Sequence, residues 1–156
     1  MKYKKFDYYI FIDFSENIIG YNIISYDNMI AIIPKISKFS HYKKLRHKKQ
    51  FIKSIKKIIN KENIISYFVK NKIKEMRNNI DIYSDILEFL KKHENCIIFI
   101  SVDNSQYFAF KRMVQISSKD NITMKKESEL KFGTPEYQTS LVLDTLLNIE
   151  RLKLVK

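Results

Sequence analysis

Two short apolar runs that end in aspartates constrain the fold of this chain more than any other feature. The first run, "YYIFIDF", covers residues 8–14 and includes Asp13, and the second, "CIIFISVDN", covers residues 96–104 and includes Asp103. The first is rich in aromatic residues and both are rich in Ile, which predicts buried strands. An ionised carboxylate in such a strand is unfavourable by several kcal/mol unless it is neutralised or used in function. Asp13 and Asp103 are therefore candidates for a functional site.

The order of the remaining segments predicts a mixed α/β fold. Strands are predicted over 8–14, 18–26, 29–34, 96–104 and 121–128, and helices over 42–60, 70–93, from Asn104 or Ser105 onward, and over 135–152. Short polar turns separate the first three strands, as in an antiparallel meander. The run "IISYFV" at 64–69 fits either a strand or part of a helix. We therefore expect a five-stranded mixed sheet, with three antiparallel strands and then two further strands, flanked by helices and with a helical insert after the third strand.

Length and cysteine content limit the class of protein. The 156 residues predict a single domain over 1–156. No run approaches the ~18 consecutive apolar residues of a membrane span, so no membrane partner is expected. The one cysteine, Cys96, lies inside an apolar run, which indicates a buried core residue and excludes an internal disulfide. A chain without disulfides fits a reducing compartment, and we expect a cytoplasmic location.

Positive charge is the strongest compositional signal. The chain has 29 Lys and Arg against 17 Asp and Glu, a formal net charge of +12, which favours a polyanionic partner such as nucleic acid. The same composition also results from AT-rich coding, because only four of the basic residues are Arg.

The charge is concentrated in residues 41–61, a predicted helix with nine Lys or Arg and no acid. Its candidate nucleic-acid-binding residues are Lys43, Lys44, Lys48, Lys49, Lys53, Lys56 and Lys57. A solvated surface and a membrane-surface helix are the alternatives.

A third aspartate, Asp144, lies in the predicted last helix, in "SLVLDTLLNIERL", close to the stripe that faces the core. Adjacent strand ends and a helix packed on the same edge would bring Asp13, Asp103 and Asp144 together. Hard oxygen ligands of this kind suit Mg²⁺ or Mn²⁺. Two such ions can hold the attacking and leaving oxygens in the cleavage of a phosphodiester. The pattern therefore predicts a metal site built from the three aspartates.

The segment "IDFSENIIGYNII" resembles the first hairpin of the ribonuclease H-like superfamily. It is especially similar to RuvC-type resolvases, in which Gly-Tyr follows the first-strand Asp by seven residues. The segment "ESELKFGTPEYQTSLVLDTLL" is similar to an uncharacterised branch whose first strand ends in Asp-Glu-Ser-Gly. In that branch a Gln, here Gln138, shortly precedes a helical Leu-Ala-Asp-Leu motif, here Leu143-Asp144-Thr145-Leu146. The resemblance implies a ribonuclease H-like fold and a metal-dependent nuclease or resolvase in which Asp13, Asp103 and Asp144 bind Mg²⁺ or Mn²⁺.

The chain departs from the superfamily pattern at one expected acid. Many members carry a further Glu, often on the first helix, but residues 43–61 contain no acid. The alternatives are Glu62, Glu75, Asp85 and Glu88, and none of them matches by motif. The fourth acidic ligand is therefore open.

Gly20, one of two glycines in the chain, is expected opposite Ile12 and beside Asp13. A missing side chain at that place would let a metal-bound phosphate or a substrate backbone approach closely. A β-bulge at Gly20 is the alternative.

These inferences predict a Mg²⁺- or Mn²⁺-dependent nuclease that hydrolyses phosphodiester bonds, with DNA favoured over RNA as the partner. A resolvase would act as a homodimer to cut two strands symmetrically. The first alternative is a non-catalytic nucleic-acid-binding protein with a degenerate site. The second is a kinase-like phosphotransferase, which would need two domains of this kind.

Overall fold

The chain folds into one five-stranded sheet with helices on both faces. The computed structural model describes residues 6–101, 104–117 and 122–154, and at residues 104, 105 and 117 it describes only the backbone. The strands are β1 (Tyr8–Ser15), β2 (Ile18–Ser25), β3 (Lys70–Glu75), β4 (Cys96–Ile100) and β5 (Ile122–Lys126). The helices are α1 (Tyr26–Ile32), α2 (Lys48–Lys61), α3 (Asn79–Lys92), α4 (Asn104–Ser117) and α5 (Pro135–Leu154). Short 3₁₀ turns lie between them, at Ile33–Lys35, Tyr42–Lys44, Ile64–Tyr67, Met76–Asn78 and Glu127–Glu129.

The strand order is β3-β2-β1-β4-β5, with β1 in the centre. β1, β2 and β3 pair antiparallel, whereas β1 pairs parallel with β4 and β4 pairs parallel with β5. The three parallel strands are in step, because Ile12 pairs with Ile100 and Ile100 pairs with Lys126. Their carboxyl ends therefore reach the same edge of the sheet. The predicted fold class, a five-stranded mixed sheet flanked by helices, is confirmed.

A hydrophobic core lies on each face of the sheet. Tyr9 and Phe11 of β1 pack with α1, α2 and α5, on what we term the α5 face. Ile10 and Ile12 pack with α3 and α4, on the opposite α3 face. Because side chains alternate between the faces of a strand, a central strand buried on both faces is apolar at nearly every position. This double burial explains why the sequence of β1 predicted its strand correctly.

The predicted third strand over 29–34 is wrong, since this stretch forms most of α1 and the 3₁₀ turn after it. Ser25 begins the helix, because its hydroxyl oxygen accepts a hydrogen bond of 3.2 Å from the backbone N–H of Asn28. Met29 and Ile32, three residues apart, are its buried positions. A short apolar run fits both periodicities, and here the cap selects the helix.

The third strand is instead β3, within a segment that was predicted to be helical over 70–93; only Asn79–Lys92 is an α-helix. β3 has the sequence "KNKIKE" and lies at an edge of the sheet, where lysines are common because they discourage further strand pairing. With Ile73 as its one apolar side chain, hydrophobic periodicity could not reveal it. The helical segments are therefore divided: α1 and α2 lie between β2 and β3, and α3 follows the third strand as expected.

Gly20 pairs directly with Asp13, in an unbroken ladder with no bulge, and Ile12 pairs with Tyr21. A Cβ at Gly20 would lie 3.1 Å from both Ile73 Cγ1 and Leu147 Cδ2, and 3.2 Å from Leu143 Cδ1. Hydrophobic side chains of α5 and β3 therefore lie over Gly20. They occupy the place where a phosphate was expected to approach. The glycine allows α5 to pack closely on the β1–β2 hairpin.

We predict that Gly20→Ala lowers the free energy of unfolding by about 1–3 kcal/mol, because the added methyl group overpacks this contact. Leu147→Ala removes one of the three contacting side chains and serves as the partner in a double-mutant cycle. The two losses, measured by urea unfolding, should sum to more than the loss in the double variant. Additive losses would show that crowding by Leu147 is not the reason for the glycine.

Candidate functional site

Three residues follow the paired ends of the parallel strands and form a row along the sheet edge on the α5 face. Asp13, Ser101 and Glu127 each come directly after the paired positions Ile12, Ile100 and Lys126. The backbone N–H of Ser101 donates a hydrogen bond of 2.9 Å to the carbonyl oxygen of Ile12, which continues the alignment beyond β4. We term Asp13, Ser101 and Glu127 the edge row.

Asp144 approaches the edge row from α5. It lies in a stretch of eleven consecutive buried residues, 139–149, and its own side chain is 7% exposed. Its Oδ2 accepts a hydrogen bond of 3.0 Å from the backbone N–H of Tyr42. The carboxylate is therefore buried with a defined partner, as a buried charge requires.

The electrostatics of Asp13 show that the acids act on one another. Burial raises the pKa of Asp13 well above its ordinary value of 3.8, and the negative charges of Glu127 and then Asp144 raise it further. Hydrogen bonds from the backbone N–H of Phe14, at 2.8 Å, and from the Ser101 hydroxyl lower the pKa and oppose this effect. The net result is a carboxyl group that resists ionisation, as expected for a buried acid beside other negative charges.

The third predicted ligand, Asp103, lies outside the described residues. Each of the four acids considered for the fourth ligand has a cation close to it. The pairs are Glu62 with Lys35 at 3.3 Å, Glu75 with Arg77 at 2.7 Å, Asp85 with Lys72 at 2.7 Å, and Glu88 with Lys92 at 3.9 Å. Asp85 also accepts a hydrogen bond of 3.1 Å from the Tyr21 hydroxyl and so links α3 to β2. Glu127 is the additional acid that acts on Asp13.

No three His, Cys, Asp or Glu side chains come close enough together to hold a metal ion, within residues 6–101, 104–117 and 122–154. Asp13, Glu127 and Asp144 interact through their charges, and one oxygen of Asp144 is engaged with Tyr42. Their carboxylate oxygens are hard ligands of the kind that bind Mg²⁺ or Mn²⁺, and the negative charges of Glu127 and Asp144 repel that of Asp13.

The predicted basic residues form an exposed surface that begins beside Asp144. We term it the lysine surface, and it comprises Lys43, Lys44, Lys48, Lys49, Lys53, Lys56 and Lys57. Most of these side chains project from α2, whose buried residues Ile52, Ile55 and Ile59 attach it to the core. α2 begins with Lys48 and Lys49 and without a side-chain cap, although its N-terminus already carries positive partial charge. This accumulation of positive charge at one end of the helix is electrostatically unfavourable.

Tyr42 connects the acids to the lysine surface. Its backbone N–H donates to Asp144, and its ring lies 5.6 Å from both Lys48 Nζ and Arg151 Cζ. Gln138 holds the preceding loop, because its Nε2 donates hydrogen bonds of 2.6 and 3.1 Å to the carbonyl oxygens of Ile36 and Phe39. α5 therefore positions both the buried acid and the chain that leads into α2.

Sequence reasoning missed Glu127, Ser101 and Tyr42. Glu127 lies inside the weak strand predicted over 121–128. It could have been identified as an acid at the carboxyl end of a strand that runs parallel to the strand of Asp13. Ser101 and Tyr42 act through a hydroxyl and a backbone N–H, and a single sequence carries no signal for such roles.

None of the described helices combines the length and the apolar character needed to cross a lipid bilayer.

No protein-family model matches the chain, and no curated protein matches it in sequence. Among solved structures, it is similar to ribonuclease H2 from Pyrococcus horikoshii OT3, with a TM-score of 0.53 and 13% sequence identity. The match covers 94% of this chain and 75% of that chain. This likeness concerns the fold: the chain has a ribonuclease H-like fold, as its sequence predicted. The finer resemblance to RuvC-type resolvases or to the Asp-Glu-Ser-Gly branch stays a prediction.

The raised pKa of Asp13 predicts how stability depends on pH. Ionisation of Asp13 opposes folding, so its effect is absent below about pH 3.8, where the group is protonated in both states, and grows as pH rises toward the folded-state pKa. Asp13→Asn should therefore be more stable than the unsubstituted protein at pH 7, with a difference that shrinks toward pH 4. Urea unfolding at several pH values measures it.

Asp85→Asn is the control of opposite sign, because the hydrogen bond from Lys72 lowers the pKa of Asp85. The stabilisation by ionised Asp85 is present above pH 3.8 and is lost as pH falls through its folded-state pKa. This variant should lose stability at pH 7 and approach the unsubstituted protein at low pH. If both variants showed the same trend, the assignment of a strained charge to Asp13 would be wrong.

Proposed function

We propose that the chain is a metal-dependent nuclease that hydrolyses phosphodiester bonds of nucleic acid. The observation that carries the proposal is that the charges of Glu127 and Asp144 act on Asp13 where the parallel strands end, and that Asp144 is linked through Tyr42 to an exposed surface of lysines. Acids next to a lysine surface suit a polyanionic substrate. The lysines attract its phosphates, and the acids attract divalent cations that can also bind phosphate oxygens.

Asp13, Glu127 and Asp144, with Asp103 as the further candidate, are the residues that would hold Mg²⁺ or Mn²⁺. When bound, such ions supply Lewis-acid stabilisation of the phosphoryl oxygens and lower the pKa of water for attack. The chain supplies the arrangement around them. Ser101 orients Asp13 through its hydroxyl, and Tyr42 fixes the rotamer of Asp144 through its backbone N–H.

The lysine surface would hold the strand and direct it to the edge row. Lys48 lies over the ring of Tyr42, whose backbone N–H donates to Asp144, so one end of the lysine surface lies close to the acids. We further propose DNA in preference to RNA, and, for a branched substrate, two copies of the chain acting on two strands.

A non-catalytic nucleic-acid-binding protein is the second candidate. The observation that favours it is the engagement of Asp144 Oδ2 with Tyr42, together with the lack of a three-acid cluster in the part of the chain that the structure describes. In this case Asp144 serves to anchor the segment that carries the lysine surface.

Cleavage assays with paired substitutions separate the two candidates. We predict that the protein with Mn²⁺ cleaves at least one of labelled single-stranded DNA, RNA or branched DNA. Asp13→Asn and Glu127→Gln should each lower the rate by roughly 100-fold or more, as is typical when one electrostatic contribution is removed. Asp144→Asn keeps an oxygen for the Tyr42 N–H but loses the charge, so it should fold and lose activity.

Glu88→Gln is the matched control, because Glu88 is an exposed acid that pairs with Lys92 at 3.9 Å on α3. It should retain full activity. Binding without cleavage of any substrate would contradict the nuclease and support the second candidate. Full cleavage by Asp13→Asn would show that the cleavage does not depend on these acids and would contradict the proposal.

The salt dependence of binding tests the lysine surface. Each phosphate that a lysine neutralises on B-DNA contributes about 0.9 to the slope of log K against log salt concentration. Lys53→Gln with Lys57→Gln, one turn apart on the exposed side of α2, should reduce the slope by roughly 1–2. Lys91→Gln with Lys92→Gln, at the end of α3, is the control of equal charge loss and should leave the slope unchanged. Equal reductions would mean that net charge alone governs binding.

A further inference from the structure

A cleft of about 860 Å³ opens on the α5 face of the sheet, next to the part that α5 covers. Its floor is the α5 face of β4 and β5, formed by Ile97, Phe99, Thr123 and Lys125, and one wall is α1. The segment from Glu129 to Glu136 closes the opposite side. Clefts that bind small organic ligands have volumes in the range of about 300–1,000 Å³. The cleft is therefore large enough to hold a nucleobase with its sugar.

Strand register places this cleft beside the acids. Phe99 pairs with Lys125, two positions before Ser101 and Glu127 of the edge row. Because side chains two positions apart lie on the same face, the floor and the edge row are adjacent on the α5 face, about 6.6 Å apart along the strands. That separation is comparable to the distance from the phosphorus to the base within one nucleotide.

The walls of the cleft have the chemistry of a site for a planar, hydrogen-bonding ring. Four aromatic side chains, Phe6, Tyr9, Tyr26 and Phe99, line the apolar side together with four aliphatic ones, and Tyr26 is the most exposed of the aromatic ones. Aromatic faces stack with any base and tolerate different sequences. Lys125 and Lys131, both exposed, stand at the lining where a phosphate or sugar would enter.

Glu136 supplies a group that can recognise the edge of a base. It lies in the first turn of α5 and lines the cleft, and its burial raises the pKa of its carboxyl above the ordinary value. Its charge also contributes to raising the pKa of Tyr9, which places the two polar groups near each other. A carboxyl group in a desolvated wall forms strong hydrogen bonds with amino and imino groups of bases.

We propose that the cleft binds a nucleobase of the strand held at the edge row, so that the nucleotide next to the cleaved phosphate is turned out of its stack and recognised. This inference rests on the proposed function and names what that site recognises. Turning out a base is least unfavourable where the strand is single or mispaired, so the cleft favours such substrates over a regular duplex.

A fluorescent reporter can test the cleft directly, because the chain contains no tryptophan. Ile30, in α1, lines the cleft and is 43% exposed, so Ile30→Trp introduces a single reporter at its wall. Ile80→Trp is the matched control, since Ile80 is also helical, is 59% exposed and lies in α3, on the other face of the sheet. AMP, GMP, CMP and UMP are titrated without divalent ions, and ribose 5-phosphate is titrated as the probe that lacks a base.

We expect saturable quenching of Ile30→Trp by at least one of the four nucleotides, no response to ribose 5-phosphate and no response from Ile80→Trp. Adding Thr123→Phe, which fills the floor, should weaken the response at least tenfold. Equilibrium dialysis of the unsubstituted chain against the same nucleotides guards against blockage of the cleft by the new indole. Absence of binding in both measurements, or equal responses to ribose 5-phosphate or from Ile80→Trp, would overturn the proposal.

The outcome is independent of cleavage. If the cleft binds nucleotides but the protein cleaves no substrate, the proposed nuclease function would be wrong and the proposed nucleobase site would stand. If the protein cleaves a substrate but the cleft binds no nucleotide, the nuclease function would stand and the nucleobase site would be wrong.

Discussion

The parallel alignment of β1, β4 and β5 is the constraint on which the rest of the molecule depends. Since Ile12, Ile100 and Lys126 stand in step across these strands, the residues that follow them, Asp13, Ser101 and Glu127, must share one edge and one face. A shift of one residue in either pairing would turn a member of the row to the other face. The double burial of β1 prevents such a shift, because both hydrophobic cores would lose their side chains.

Helix α5 adds the second constraint. It is buried along residues 139–149 and lies on the hairpin at Gly20, so that Asp144 is held near the edge row with little freedom. The same helix forms hydrogen bonds with the segment that precedes α2, through Gln138 to Ile36 and through Asp144 to Tyr42. The acids and the lysine surface are thereby tied together by one helix, although a hundred residues of sequence separate Tyr42 from Asp144.

Two locally unfavourable features lie at this end of the protein. Asp13 resists ionisation beside two other acids, and α2 begins with lysines at its positive end. On the α3 face, by contrast, Asp85 is satisfied by Lys72 and Tyr21. Proteins tend to retain such conflicts where function needs them, and here the negative and positive conflicts lie next to each other.

Local patterns in the sequence were sufficient to predict the doubly buried β1 and β4, the lysine-bearing helix and the long last helix. The sequence also singled out Asp13 and Asp144, because an acid within an apolar run is visible without a structure. Tertiary structure alone decided that 29–34 is helical, that "KNKIKE" is the third strand, and that Gly20 accommodates Leu143 and Leu147. It alone brought Glu127 to Asp13, because the pairing of β5 with β4 depends on contacts between residues far apart in the chain, which local periodicity does not encode.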